Sequence, residues 1–111
     1  MNNQPQSLLD ALNACIAACE QCATACLQEQ EVKMMVRCIS IDRDCADICA
    51  ITARFVARGS EHAGHVMREF AEICGICATE CEKHGAHLEH CQHCAEACRR
   101  CEQACRAALA A

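Results

Sequence analysis

The chain has 111 residues and a net charge of −5, and although 53% of it is apolar, 21 residues are Ala and 15 are Cys against 19 Leu, Ile, Val and Phe together. One domain over residues 1–111 is the expectation at this length, and no apolar run approaches the ~20 residues of a membrane span, which excludes an integral membrane protein built on helices. Secreted disulfide scaffolds are loop-rich, whereas this chain has four Gly, one Pro, no Trp or Tyr and an odd number of Cys, so that class is excluded too.

The segment before the first helix, Met1–Ser7, holds no basic residue, and the first in the chain is Lys33. No export signal is read there, so the expected compartment is the reducing cytoplasm, with cysteines present as thiols or metal thiolates. Pro5 precedes the first periodic segment, and Ser7 with Asp10 three residues later has the form of an N-cap with an acidic first turn. A first helix is predicted over 7–29, with the polar stretch Gln28–Glu31 as a turn. A second is predicted over 32–58, stopped by Gly59, with Arg54 and Arg58 suited to its C-terminal dipole. Ser60 is placed to cap a third helix, 60–84, that ends at Gly85, and a fourth runs over 87–110. Nothing alternates as a strand would. Four helices of similar length with short connections predict an all-α fold, an antiparallel up-down-up-down four-helix bundle.

The cysteines share one spacing rule. Cys15, Cys19, Cys22 and Cys26 lie in the first segment, and Cys38, Cys45 and Cys49 in the second. The third holds Cys74, Cys77 and Cys81, and the fourth holds Cys91, Cys94, Cys98, Cys101 and Cys105. Alternating steps of three and four mark a core-facing seam, and every cysteine obeys them; Asp42 stands where the second stripe would otherwise carry another. One or two such cysteines would read as plain core filling. Fifteen in one seam read as a metal-binding interior, because Leu fills core positions better and does not oxidise. A thioredoxin-like Cys-x-x-Cys site is disfavoured, since that motif sits beside a sheet.

Thiolates select Cu(I), Zn(II) or iron–sulfur clusters. The ligands form a continuous ladder without grouping into fours, unlike zinc knuckles or the loop cysteines of iron–sulfur sites. Fifteen buried thiolates would repel prohibitively, while about fifteen monovalent ions would leave the interior near neutral. Storage of multiple Cu(I) ions is the favoured function. A zinc or toxic-metal thiolate sponge is the alternative, and a thiol oxidoreductase a more distant one. No phosphate loop, Ser-His-Asp arrangement or inward carboxylate pair is present, so no enzyme is expected. Glu20, Glu72, Glu80, Glu82, Glu96 and Glu102 interleave with Arg and Lys on outward faces, which is a solvated surface and no nucleic-acid footprint.

Four stretches carry a family likeness: Cys15-x-x-x-Cys19-x-x-Cys22-x-x-x-Cys26, Asp44-Cys45-Ala46-Asp47-Ile48-Cys49, Ala57-Arg58-Gly59-Ser60, and Cys91-Gln92-His93-Cys94-Ala95-Glu96-Ala97-Cys98-Arg99-Arg100-Cys101. In these the chain resembles the four-helix-bundle copper storage proteins over nearly its whole length. The resemblance implies cytosolic Cu(I) storage in a homo-oligomer, commonly a tetramer. Copper ions and a copper chaperone are the expected partners, with no nucleic acid and no membrane. Asp42 departs from a full stripe and leaves open the metal count at its level.

Antiparallel packing gathers Cys26, Met35 with Cys38, Cys81 with His84, and His87 with Cys91 at one mouth. Met35, His84 and His87 are neutral candidate ligands for passing Cu(I) inward. His90 and His93 flank the stripe as weaker candidates, and His62 and His65 read as surface. Leu8, Leu12, Phe55, Val56, Met67, Phe70 and Leu109 collect at the opposite end as an apolar plug.

Overall fold

The computed structural model describes residues 4–111, which form four α-helices: α1 (Gln4–Cys26), α2 (Val36–Ala57), α3 (Ala63–Gly85) and α4 (Glu89–Ala110). A 3₁₀ turn, Val32–Met35, leads into α2. No strand occurs among the described residues. Each helix packs against its two neighbours in the order α1–α2–α3–α4–α1, which is the antiparallel four-helix bundle that the sequence predicts. The rod measures 49 × 19 × 18 Å. None of its described helices is long and apolar enough to cross a membrane.

Helix boundaries differ from the predicted ones for identifiable reasons. α1 starts at Gln4, so Pro5 sits in the first turn, where its missing N–H has no intrahelical carbonyl to lose. Ser7 is therefore inside the helix instead of capping it, and Asp10 accepts a hydrogen bond from Gln6 Nε2 at 3.0 Å. α1 ends three residues early: the N–H groups of Gln28 and Glu29 donate to Ala25 and Cys26, three residues back, at 3.0 and 3.2 Å. That tighter winding releases Glu29 from the helix path. α2 closes in a Schellman motif, with Ser60 N–H donating to Phe55 O at 3.0 Å and Gly59 N–H to Val56 O at 3.1 Å. Gly59 takes φ +64°, a conformation that costs other residues energy. Ser60 Oγ accepts from His62 N–H at 3.0 Å, one turn before α3 begins, so it caps the connecting turn and not the helix.

The interior is cysteine and alanine. All fifteen cysteines are at most 1% exposed and none is in a disulfide. At the end holding both termini, Leu8, Leu12 and Phe70 are buried, while Phe55, Val56, Met67 and Leu109 are half-buried around them. Arg58 lies over the Phe55 ring, 4.4 Å from its centroid. The apolar plug thus has a filled centre and a partly solvated rim. Glu80 corrects its predicted outward position: its side chain is 6% exposed and takes hydrogen bonds from Arg37, Lys83 and His84, tying α2 to α3.

Candidate metal centre

The heptad-like spacing aims each helix's sulfur stripe at the bundle axis, and folding then sorts the sulfurs into sets that cross helices. Cys15, Cys45, Cys74 and Cys98 supply one sulfur from each helix, all within 4.8 Å of one another. Cys19, Cys77, Cys94 and Cys98 make a second set within the same limit. The expectation that the ladder has no grouping into fours is therefore overturned: the a/d spacing hides the groups, because their members come from different helices. These sets share corners. Cys98 belongs to both of the sets just named, and Cys22 to three others.

Sulfur contacts run along the whole tube. Cys15 touches Cys98 and Cys74 at 3.8 Å, Cys19 touches Cys98 at 3.6 Å, Cys38 touches Cys81 at 3.8 Å, and Cys22 touches Cys91 at 3.8 Å. Two sulfurs bound to one ion at about 2.3 Å each stand about 4 Å apart. The observed separations match that value. Near the plug, Cys49 Sγ donates to Leu12 O at 3.2 Å, and Cys74 Sγ donates to Cys98 O at 3.1 Å. Cys101 and Cys105 continue the buried stripe toward the plug.

Asp42 sits inside the tube, fully buried. Cys77, Cys81 and Cys94 donate to its Oδ1 at 3.2, 3.4 and 3.5 Å, and Cys38 donates to Oδ2 at 3.8 Å. It also joins two of the four-donor sets, one with Cys22, Cys81 and Cys94 and one with Cys22, Cys26 and Cys38. Burial, the largest cause, pushes the carboxyl up to about 8, against hydrogen bonds from neighbouring thiols that lower it. Burial thus favours the protonated acid. Burial likewise pushes the Cys26 thiol up to about 12, and neighbouring thiols together with burial push Cys19, Cys22 and Cys74 up. Hydrogen bonds from neighbouring thiols pull Cys15, Cys38, Cys94 and Cys98 the other way, while burial opposes the charged form at each of them, because a closed apolar interior disfavours charge without metal.

At the mouth the structure brings together Met35, His84 and His87, but in an outer position. They line a surface notch of about 380 Å³ with Glu29, Met34 and Leu88. Met35 is 3% exposed and belongs to the buried core, His84 Nε2 is 3.3 Å from Glu80 Oε2, and His87 is exposed. The imidazole that faces the sulfurs is His90, which the spacing had ranked below His84 and His87. Its Nδ1 lies 3.5 Å from Cys91 Sγ, 3.6 Å from Cys22 Sγ and 3.9 Å from Cys26 Sγ. With those three sulfurs it forms a four-donor set. The signal was faint in the sequence because His90 precedes Cys91 and so falls beside the stripe; it sits in the first turn of α4, two residues after the extended Leu88. His93 remains exposed, and His62 and His65 lie at the surface with stacked rings 5.7 Å apart.

The profile of the Csp copper storage protein family matches residues 1–110. The chain belongs to that family. A cysteine-rich protein of Bacillus subtilis, YhjQ, is 37% identical over 106 residues, covering 96% of both chains. Among solved structures, a cytosolic copper storage protein from Streptomyces lividans, described in copper loading with five coppers, superimposes with a TM-score of 0.94 at 39% identity, covering 97% of this chain and 93% of that one. Cu(I)-bound copper storage protein BsCsp3 gives 0.89 at 37% identity, covering 95% of this chain and 97% of that one. This member of the family therefore shares with them its fold and, over nearly its full length, more than a third of its residues.

Proposed function

We propose that this copper storage protein holds multiple Cu(I) ions on its interior thiolates and buffers them in the cytoplasm. The observation that carries the reading is the sharing of sulfurs between neighbouring donor sets, with Cys98 in at least two and Cys22 in at least three. A thiolate shared between sets bridges two soft monovalent ions, and a continuous chain of bridges needs no gaps between sites. Charge supports the same choice, because one monovalent ion per thiolate leaves the closed interior near neutral, at about fifteen ions per chain. The fifteen cysteines are the ligands in this reading, with Asp42 a donor at its own level and His90 at the mouth. Met35, His84 and His87 line the outer notch through which ions pass. Val36, Ile51 and Ile76, exposed by 60, 43 and 44%, leave apolar surface that further copies would cover in a homo-oligomer such as a tetramer. A copper chaperone is the partner that would deliver ions at the notch.

One arrangement favours a second reading. The Cys15, Cys45, Cys74 and Cys98 set, one sulfur per helix, would suit tetrahedral zinc. Anaerobic titration of the reduced protein with Cu(I) and with Zn(II), followed by desalting and metal analysis, separates them. Retention of about fifteen Cu(I) per chain, with zinc displaced by copper, is expected. About four Zn(II) retained against equimolar Cu(I) would replace the copper reading with the zinc one.

A further inference from the structure

The mouth holds one polar contact that the spacing of the cysteines does not explain. Glu29 leaves the end of α1, where the last turn winds tightly, and its Oε2 lies 3.1 Å from His90 Nε2. The two side chains are 32 and 23% exposed, so the contact is partly shielded at the rim. The other ring nitrogen of His90 faces Cys22, Cys26 and Cys91. Glu29 also lines the outer notch with Met34, Met35, His84 and His87. It therefore stands between the surface donors and the first buried ones.

A neutral imidazole carries one proton on two nitrogens, and a carboxylate can only accept. A carboxylate at Nε2 therefore holds the proton there and leaves the lone pair on Nδ1, turned toward the sulfurs. Carboxylate–histidine pairs of this kind fix both ring orientation and tautomer at metal sites, and raise the basicity of the ligating nitrogen. We propose that Glu29 is a positioning residue for copper intake: by accepting the Nε2 proton of His90 it presents Nδ1, with Cys22, Cys26 and Cys91, as the first interior site that an ion from the notch meets. This rests on the storage reading and adds the residue that sets the affinity of its entrance. No oxidation state changes in this step: each S–H bond that breaks is replaced by a bond from that sulfur to the ion. The ion exchanges donors, and each thiol that becomes a ligand releases its proton to solvent.

The test uses the reduced full-length protein with Glu29→Ala, Glu29→Gln and His90→Ala. The ring ¹⁵N–¹H spectrum of the metal-free protein should show His90 as the Nε2–H tautomer in wild type and as a mixture in Glu29→Ala. Competition with a Cu(I) chelator for the first equivalent should weaken about tenfold in Glu29→Ala, the lower end of what loss of such a partner costs. Glu29→Gln, whose amide oxygen still accepts from Nε2–H, should recover most of that loss, and adding Glu29→Ala to His90→Ala should weaken binding little further, because Glu29 acts only through His90. End-point capacity should stay within one ion of wild type in the Glu29 variants. A role in merely pinning the α1–α2 connection would lower the melting temperature with the His90 tautomer unmoved, and that result overturns the proposal. So does unchanged first-ion affinity in Glu29→Ala. Failure of the wild type itself to retain Cu(I) would appear as absent end-point capacity whatever the tautomer, and would remove the storage reading and the intake role together.

Discussion

Replacing Asp42 by Asn tests whether the one carboxyl inside the tube is neutral. In the unfolded chain this group titrates near its ordinary value of 3.8, and in the fold burial raises it to about 8. Between those values the folded protein keeps a proton that the unfolded chain has lost. Stability must then fall as pH rises, by about 1.4 kcal/mol per pH unit for one proton. From pH 5 to pH 7 the wild type should lose about 3 kcal/mol relative to Asp42→Asn, which cannot ionise. That is a large share of the roughly 5–15 kcal/mol by which such domains are stable. Glu80 works in the opposite sense. Burial alone would raise it, but hydrogen bonds from Lys83, Arg37 and His84 lower it, so its contribution is lost as pH falls below the ordinary carboxylate range. Because both proteins contain Glu80, the difference between them isolates Asp42. Anaerobic denaturant titrations of the two metal-free proteins at pH 5, 6 and 7 measure it. Parallel curves, or a wild type that gains on Asp42→Asn with rising pH, would show that Asp42 is ionised in the fold and refute the argument.

Phe70 is fully buried in the plug, so Phe70→Ala should cost about 3–5 kcal/mol in chemical denaturation of the metal-free protein. At Gly59 an added Cβ meets no atom within 4 Å, so Gly59→Ala should cost only the left-handed backbone strain, about 1 kcal/mol, read as a small drop in melting temperature. Because burial holds Cys26 up to about 12, loading should release protons into weakly buffered solution and apparent affinity should fall as pH falls; a pH-independent affinity measured by chelator competition would contradict thiolate ligation. Replacing Met35, His84 and His87 together should slow stopped-flow uptake while leaving end-point capacity near wild type, and Cys45→Ala with Cys98→Ala should do the reverse, since those two sulfurs belong to an interior set and not to the notch.

The three-and-four spacing of the cysteines is a local property of the chain, and it decided the largest features. A helix carries one residue about every 100°, so steps of three and four return to one face whatever the rest of the protein does. That periodicity, with the helix-ending Gly59, sufficed for four helices with inward thiols. The family resemblance rests on the same residues. Glu80 fell outside this logic: its position within α3 makes it a solvated acid until Arg37 from α2 and Lys83 and His84 from α3 converge on it.

What tertiary structure alone decided is every relation between helices. Spacing along α1 says nothing about which sulfur of α4 stands opposite Cys19, because the axial offset of two helices is set by how their side chains interlock and how the connections end. The Cys15, Cys45, Cys74 and Cys98 set exists only in that register, and so do the four thiols that donate to Asp42. The mouth shows the same division. The sequence placed Met35, His84 and His87 at the open end, but it could not tell the outer notch from the inner donor set. The early end of α1 and the start of α4 meet there, with His90 on the sulfurs and Glu29 behind it. Residues 61 positions apart come into contact there, and no local pattern encodes such a contact: it is a consequence of two helix ends meeting.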